Sequence, residues 1–113
     1  MASLTPSAKF DYLEGTTQVD RFNGLDGNDI IYANSGDDFL EGGAGKDKIC
    51  GDRDNDTIVG GDDDDILWGG KGSDLIAGNS GNDSIYGGAG SDTMTGAQGM
   101  IYLPLLRAAA AQL

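Results

Sequence analysis

From residue 24 onward the large apolar residues of this chain fall on one spacing. Ile31, Leu40, Ile49, Ile58, Leu67, Ile76, Ile85 and Met94 stand nine apart, with no insertion or deletion between them. That interval matches neither the 3.6-residue period of an amphipathic helix nor the sustained alternation of a long strand. The intervening residues are polar and rich in glycine, which weakens helix and strand interiors alike. The pattern therefore predicts very short strands, each centred on one apolar residue that points inward between two outward neighbours. Cut from Gly24, the repeats read GLDGNDIIY, ANSGDDFLE, GGAGKDKIC, GDRDNDTIV, GGDDDDILW, GGKGSDLIA, GNSGNDSIY and GGAGSDTMT. The frame extends backwards through GTTQVDRFN and PSAKFDYLE, where Phe22 and Leu13 hold the apolar position and the glycines thin out.

A second invariant sits two residues before each apolar one. The sixth position is Asp29, Asp38, Asp47, Asp56, Asp65, Asp74, Asp83 and Asp92, and the degenerate repeats add Asp20 and Asp11. Carboxylates supply hard anionic oxygens, and calcium takes six to eight oxygen ligands at about 2.3–2.6 Å. Glycine allows positive φ and leaves room for carbonyls to converge on a cation. Together they give a reason for a stretch such as GGAGKDKIC.

Composition removes the competing chemistries. Glycine is 20 of 113 residues and the net charge is −12, so a nucleic-acid partner, which needs a basic surface, is excluded. There is no histidine and one cysteine, Cys50, which leaves no internal disulfide, no Cys-based zinc site and no imidazole base. Asp52, Asp54 and Asp56 imitate the start of an EF-hand loop, but Thr57 stands where its glycine belongs and the closing glutamate is missing. Paired carboxylates recur everywhere and mark no one active site. No enzyme is predicted.

The nonapeptide resembles the RTX (repeats-in-toxin) consensus G-G-x-G-x-D-x-U-x, with U a large apolar residue, known as a calcium-binding parallel β-helix repeat. The resemblance covers residues 24–95 well and 6–23 loosely. It implies an all-β, right-handed parallel β-roll with two nonapeptides per coil and about four to five coils. Calcium would lie between turns of successive coils, held by the repeat aspartates and by carbonyls of turn residues such as Gly27, Gly36, Gly43, Gly45, Gly61, Gly70, Gly72, Gly81, Gly88 and Gly90. An 18-residue coil stacks each aspartate on the one two repeats away. Six pairs follow within the well-formed repeats: 29/47, 47/65, 65/83, 38/56, 56/74 and 74/92. Six divalent ions would neutralise the net charge of −12. The pairs 11/29 and 20/38 rest on glycine-poor turns and are weaker candidates.

Ten inward apolar residues cannot offset the conformational entropy of ordering such a chain. The cation's binding energy is then expected to be folding energy, giving a calcium-driven passage from disorder to order. Some turns depart from consensus. Asp54 and Asp63 take the fourth position, Asp52 the second, Ala33 the first, and Leu25, Asn34 and Asn79 the second. Asparagine tolerates positive φ, whereas Leu25 is expected to weaken the first coil. The acidic run Asp62–Asp65 reads either as extra ligands or as a solvated face.

Outward positions divide the roll. One face gathers Tyr32, Ile30, Ile66, Trp68 and Tyr86, either as cross-strand ladders or as a contact surface for another subunit or domain. Cys50 lies in that stripe as a free thiol or an intermolecular disulfide partner. Three segments are expected: a degenerate start (1–23), the calcium-binding roll (24–95) and a cap (96–113), in which the period stops after Gly99 and a helix-prone stretch follows Pro104. That tail is too short and too broken to span a bilayer, and an apolar tail at one pole facing an open coil at the other suits head-to-tail association. No cleavable signal peptide is recognisable at the start. The resemblance implies export without one, to the outside of the cell or its surface. Two functions follow: a secreted structural protein that assembles into a fibre or surface layer, favoured by the initial Met and the lack of a second domain, or the calcium-folded secretion module of a larger toxin or hydrolase.

Overall fold

A computed structural model describes residues 10–96 and the backbone of Ile101–Tyr102. Each apolar repeat residue lies inside one of the eleven short strands of the described residues. These are β1 (Tyr12–Glu14), β2 (Arg21–Asn23), β3 (Ile30–Tyr32), β4 (Phe39–Gly43), β5 (Lys48–Cys50), β6 (Thr57–Gly61), β7 (Ile66–Trp68), β8 (Leu75–Ala77), β9 (Asp83–Tyr86), β10 (Thr93–Thr95) and β11 (Ile101–Tyr102). Successive strands alternate between two parallel sheets, one ordered β1-β3-β5-β7-β9-β11 and the other β10-β8-β6-β4-β2. The chain is thus a parallel β-solenoid of about five turns, and no described residue is helical.

Pairing is strict at eighteen residues: Ile31 opposes Ile49, which opposes Leu67, which opposes Ile85. The second sheet stacks Phe22, Leu40, Ile58, Ile76 and Met94 in the same way. The two rows face each other and form the core, with Ile31, Leu40, Ile49, Ile58, Leu67, Ile76 and Ile85 wholly buried. Side chains on either side of them point outward, as alternation along a strand requires. Backbone hydrogen bonds continue between strands, for example from the Ile30 N–H to the Asp11 carbonyl at 2.9 Å and from the Gly24 N–H to the Glu41 carbonyl at 2.9 Å.

The expectation that the period stops after Gly99 is corrected. β11 pairs with β9 through Ile101 opposite Asp83 and Tyr102 opposite Ser84, again eighteen residues apart. The ladder runs one repeat beyond the aspartates because backbone pairing needs only a residue able to bond, whatever its side chain. Ile101 stands where an aspartate would have been. The helix-prone stretch from Pro104 lies outside the described residues.

Candidate metal centre

Between strands the chain turns through the first six residues of each repeat, and two features of that turn recur. Backbone φ is positive at the second and fourth positions of all eight repeats, from Leu25 and Gly27 to Gly88 and Gly90. It is so whether or not the residue is glycine: Leu25 has φ 69°, Asn34 68°, Asp52 75°, Asp54 73°, Asp63 71° and Asn79 66°. Leu25 therefore accepts the left-handed conformation rather than distorting the first coil. The ladder on either side over-determines the turn and outweighs a local cost of about 1–2 kcal/mol.

Space is as demanding as φ. In the turn of residues 42–47, a Cβ on Gly42 would lie 2.5 Å from Oδ2 of Asp47 and 2.7 Å from the Gly60 carbonyl oxygen. A Cβ on Gly43 would collide with the Leu25 carbonyl of the coil before. Carbonyls of one turn thus point at the backbone of the next, and only glycine or a tightly fitted substitute lets the turns stack. Ala33, the one substitute at the first position, is wholly buried.

The aspartates form two columns along the roll, and Asp20, Asp29, Asp38, Asp47, Asp56, Asp65, Asp74 and Asp83 are at most 2% exposed. From Asp29 onward, one oxygen of each is engaged by the neighbouring coil. Oδ1 of Asp47 accepts the Asp29 N–H at 2.9 Å, Oδ1 of Asp65 the Asp47 N–H at 2.8 Å, and Oδ1 of Asp83 the Asp65 N–H at 2.8 Å. The other column repeats this from Asp20 through Asp38, Asp56 and Asp74 to Asp92, and Asp11 donates to Asp29. The second oxygen differs. Oδ2 of Asp29, Asp38, Asp47, Asp56, Asp65, Asp74 and Asp83 is buried without a hydrogen-bond partner.

A buried carboxylate oxygen without a donor is costly, and a charged one far more so. Burial, only partly offset by the N–H from the coil before, pushes Asp38 and Asp74 up to about 6, Asp47 up to about 7, and Asp56 and Asp65 up to about 8. Asp29, Asp83 and Asp92 are raised for the same reason. The donor set suits a hard cation: anionic oxygens stacked eighteen residues apart, with turn carbonyls beside them. Among the described residues no three acidic, histidine or cysteine side chains gather at one point. Any ion here therefore needs carbonyl oxygens as well as carboxylates, which is what the inward-turned backbone offers.

The acidic run resolves differently from its extra-ligand reading. Asp62, Asp63 and Asp64 are exposed and only Asp65 joins a column. Asp63 accepts the Gly45 N–H at 3.1 Å, Asp54 the Gly36 N–H at 2.8 Å, and Asp64 the Asn82 N–H at 2.8 Å. These side chains accept N–H groups of an adjacent coil. A related ladder runs along the fifth positions, where Asn28, Asp37 and Asn55 accept the N–H of Lys46, Asn55 and Ser73. It escaped sequence analysis, although the recurrence of Asn or Asp at that position was its signal. The aromatic stripe is present on the first sheet as cross-strand contacts: Trp68 stacks on Tyr86 at 5.6 Å and Tyr12 meets Tyr32 edge-on at 5.9 Å. Ile66 and Cys50 lie on the same face, and burial together with Asp52 pushes the Cys50 thiol up, away from the reactive thiolate.

A family model for the RTX calcium-binding nonapeptide repeat matches the chain in four overlapping copies, over residues 14–49, 41–76, 50–84 and 68–99. No curated protein matches it. Among the described residues no helix is long and apolar enough to cross a membrane. With matching repeats over most of its length, a solenoid of eighteen-residue coils and an aspartate column at every turn, the chain belongs to the RTX calcium-binding nonapeptide repeat family, a structural family of calcium-binding β-rolls.

Proposed function

We propose that this chain is an extracellular structural β-roll that folds when calcium enters the spaces between successive turns. The ligands are the aspartate pairs 29/47, 47/65, 65/83, 38/56, 56/74 and 74/92, completed by carbonyls of second- and fourth-position residues such as Gly43, Gly45, Gly70 and Gly72. The observation that carries this is the row of seven buried Oδ2 atoms without a donor. Each is an anionic oxygen held in place by its partner Oδ1, and a divalent cation is the group that removes the cost of burying it. Outside a cell, where calcium is abundant, the chain folds; where calcium is scarce it stays extended, which suits export as an unfolded polypeptide.

Six ions bring the net charge of −12 to zero and remove the mutual repulsion of copies. The folded roll then associates through its aromatic sheet, where Tyr12 is 54%, Tyr32 45% and Trp68 37% exposed. Residues 24–95 are the calcium-binding unit. Isothermal titration with calcium, followed by sedimentation of wild type and Trp68→Ala, tests both parts. Six ions per chain and large particles that Trp68→Ala reduces to monomers are expected. Calcium binding by a chain that stays monomeric points to the second reading, a folding and secretion module of a larger exported protein.

A further inference from the structure

The turn of residues 15–20 has the same strand geometry as its neighbours but a different interior. Asp20 is wholly buried, like the other column aspartates. Its Oδ2, however, accepts the Thr16 N–H at 2.7 Å, and the Thr16 hydroxyl donates to the same carboxylate at 3.1 Å. The Gln18 N–H donates to the Thr16 hydroxyl oxygen at 3.0 Å. Thr16 and Gln18 hold the second and fourth positions of their repeat, and positive φ begins only at Leu25. The turn below is adapted to match. The Asn34 side-chain amide reaches up and donates to the Gly15 carbonyl at 2.9 Å. A side-chain hydrogen bond thus ties together the two turns that flank the 20/38 junction.

We infer that the 20/38 junction is a metal-free closure, in which hydrogen-bond donors of Thr16 and Asn34 satisfy oxygens of the kind that calcium coordinates between the later turns. This rests on the reading that the other junctions hold calcium. Three donors converge where an ion would otherwise sit: the Thr16 N–H, the Thr16 hydroxyl and the Asn34 amide. A cation would have to displace all of them and would find one carboxylate already satisfied. Asp38 remains a ligand, but toward Asp56, on its other side. The coil of residues 10–23 then continues the backbone ladder without adding an ion at the 20/38 junction. The position of the closure sets where the ion row begins, independently of where the apolar core begins.

The test counts ions by native mass spectrometry at saturating calcium, with circular dichroism verifying that each variant is folded. Wild type holds six. Asp20→Asn also holds six, because Asp20 ligates none, whereas Asp38→Asn loses one by disabling the 38/56 site. Thr16→Gly with Gln18→Gly and Asn34→Gly removes the closure, restores the glycine pattern and raises the count to seven. An ion lost in Asp20→Asn, or a triple variant that folds and holds no more ions than wild type, would overturn the inference while leaving the calcium reading intact. A wild type that holds no calcium would overturn both. Asp20→Asn decides even if the triple variant fails to fold, because it leaves the 11/29 pair and the later repeats unchanged.

Discussion

The turns of residues 15–20 and 42–47 show how one backbone plan can be completed in two ways. Both lead into a three-residue strand segment with one buried apolar side chain, Phe22 in the first and Ile49 in the second. Both bury an aspartate whose Oδ1 is engaged, by the Thr16 hydroxyl at Asp20 and by the Asp29 N–H at Asp47. In the first turn Thr16 satisfies Oδ2 from within, and no left-handed residue is needed. In the second, Gly43 and Gly45 have φ of 91° and 107°, and Oδ2 of Asp47 has no donor. The first is a finished hydrogen-bonded turn. The second leaves a buried carboxylate oxygen that, on the proposed reading, a cation completes. The left-handed positions therefore accompany the turns whose aspartate lacks a donor, whereas the apolar residues mark only where the chain forms strands.

This contrast breaks most visibly at Asp65, which serves both the 47/65 and the 65/83 pairs. Asp65→Ala should remove two ions and cost on the order of 4 kcal/mol or more in the calcium-loaded state. Asp20→Ala should remove none and cost about 1–3 kcal/mol, the cost of leaving the Thr16 donors without their acceptor. Calcium titration followed by chemical denaturation measures both, and equal losses would erase the distinction between the turns.

Gly43→Ala sharpens the point by adding one methyl. Its Cβ would strike the Leu25 carbonyl at a residue whose φ is 91°. A loss of about 2–3 kcal/mol is expected from the combined clash and strain. Thr16→Ala deletes one hydroxyl donor at an exposed residue and should cost about 1 kcal/mol. Urea midpoints at fixed calcium compare the two.

Acid offers a different probe, because protons can do part of what calcium does. In the unfolded chain these carboxyls titrate near 3.8, whereas burial raises Asp47 to about 7 and Asp56 and Asp65 to about 8. A group raised in the fold binds its proton more tightly there, so its contribution to stability is complete below pH 4 and is lost as pH rises through about 6–8. Chelated protein should therefore gain β-sheet ellipticity on acidification and lose it again towards pH 8. In calcium the order reverses: affinity should fall as the pH is lowered, since each ion must displace protons. A metal-free signal that is flat from pH 8 to pH 4 would contradict the burial of these carboxylates.

The smallest effect is expected at Leu25, the one residue of the left-handed set that is neither glycine, asparagine nor aspartate. Leu25→Gly should raise calcium-loaded stability by about 1 kcal/mol, since glycine accepts φ near 69° without a steric cost. Thermal melting at saturating calcium detects it.

Much of this molecule is legible in its sequence because the fold is periodic and each period carries its own signature. The spacing of Ile31, Ile49, Leu67 and Ile85 gives strand positions and, once the coil length is known, the register. The aspartate spacing gives the columns. What escaped the sequence is specific to single side chains. Nothing in GTTQVD announces that Thr16 bonds to Asp20 four residues on, because a threonine hydroxyl can serve as readily as solvent-exposed decoration. The division of the acidic run into one column residue and several hydrogen-bond acceptors depends on contacts eighteen residues away, which a local reading of Asp62–Asp65 cannot supply. β11 was hidden because its repeat keeps the backbone pairing while replacing the aspartate with Ile101.

The most direct test of the central claim, that calcium organises this roll, is the hydrodynamic radius and far-ultraviolet circular dichroism of chelator-stripped protein through a calcium titration. The account predicts an expanded, largely unstructured chain that contracts and gains β-sheet signal together, in one cooperative transition. A chain that is already compact and β-rich in excess chelator at neutral pH, and unchanged when calcium is added, would contradict it.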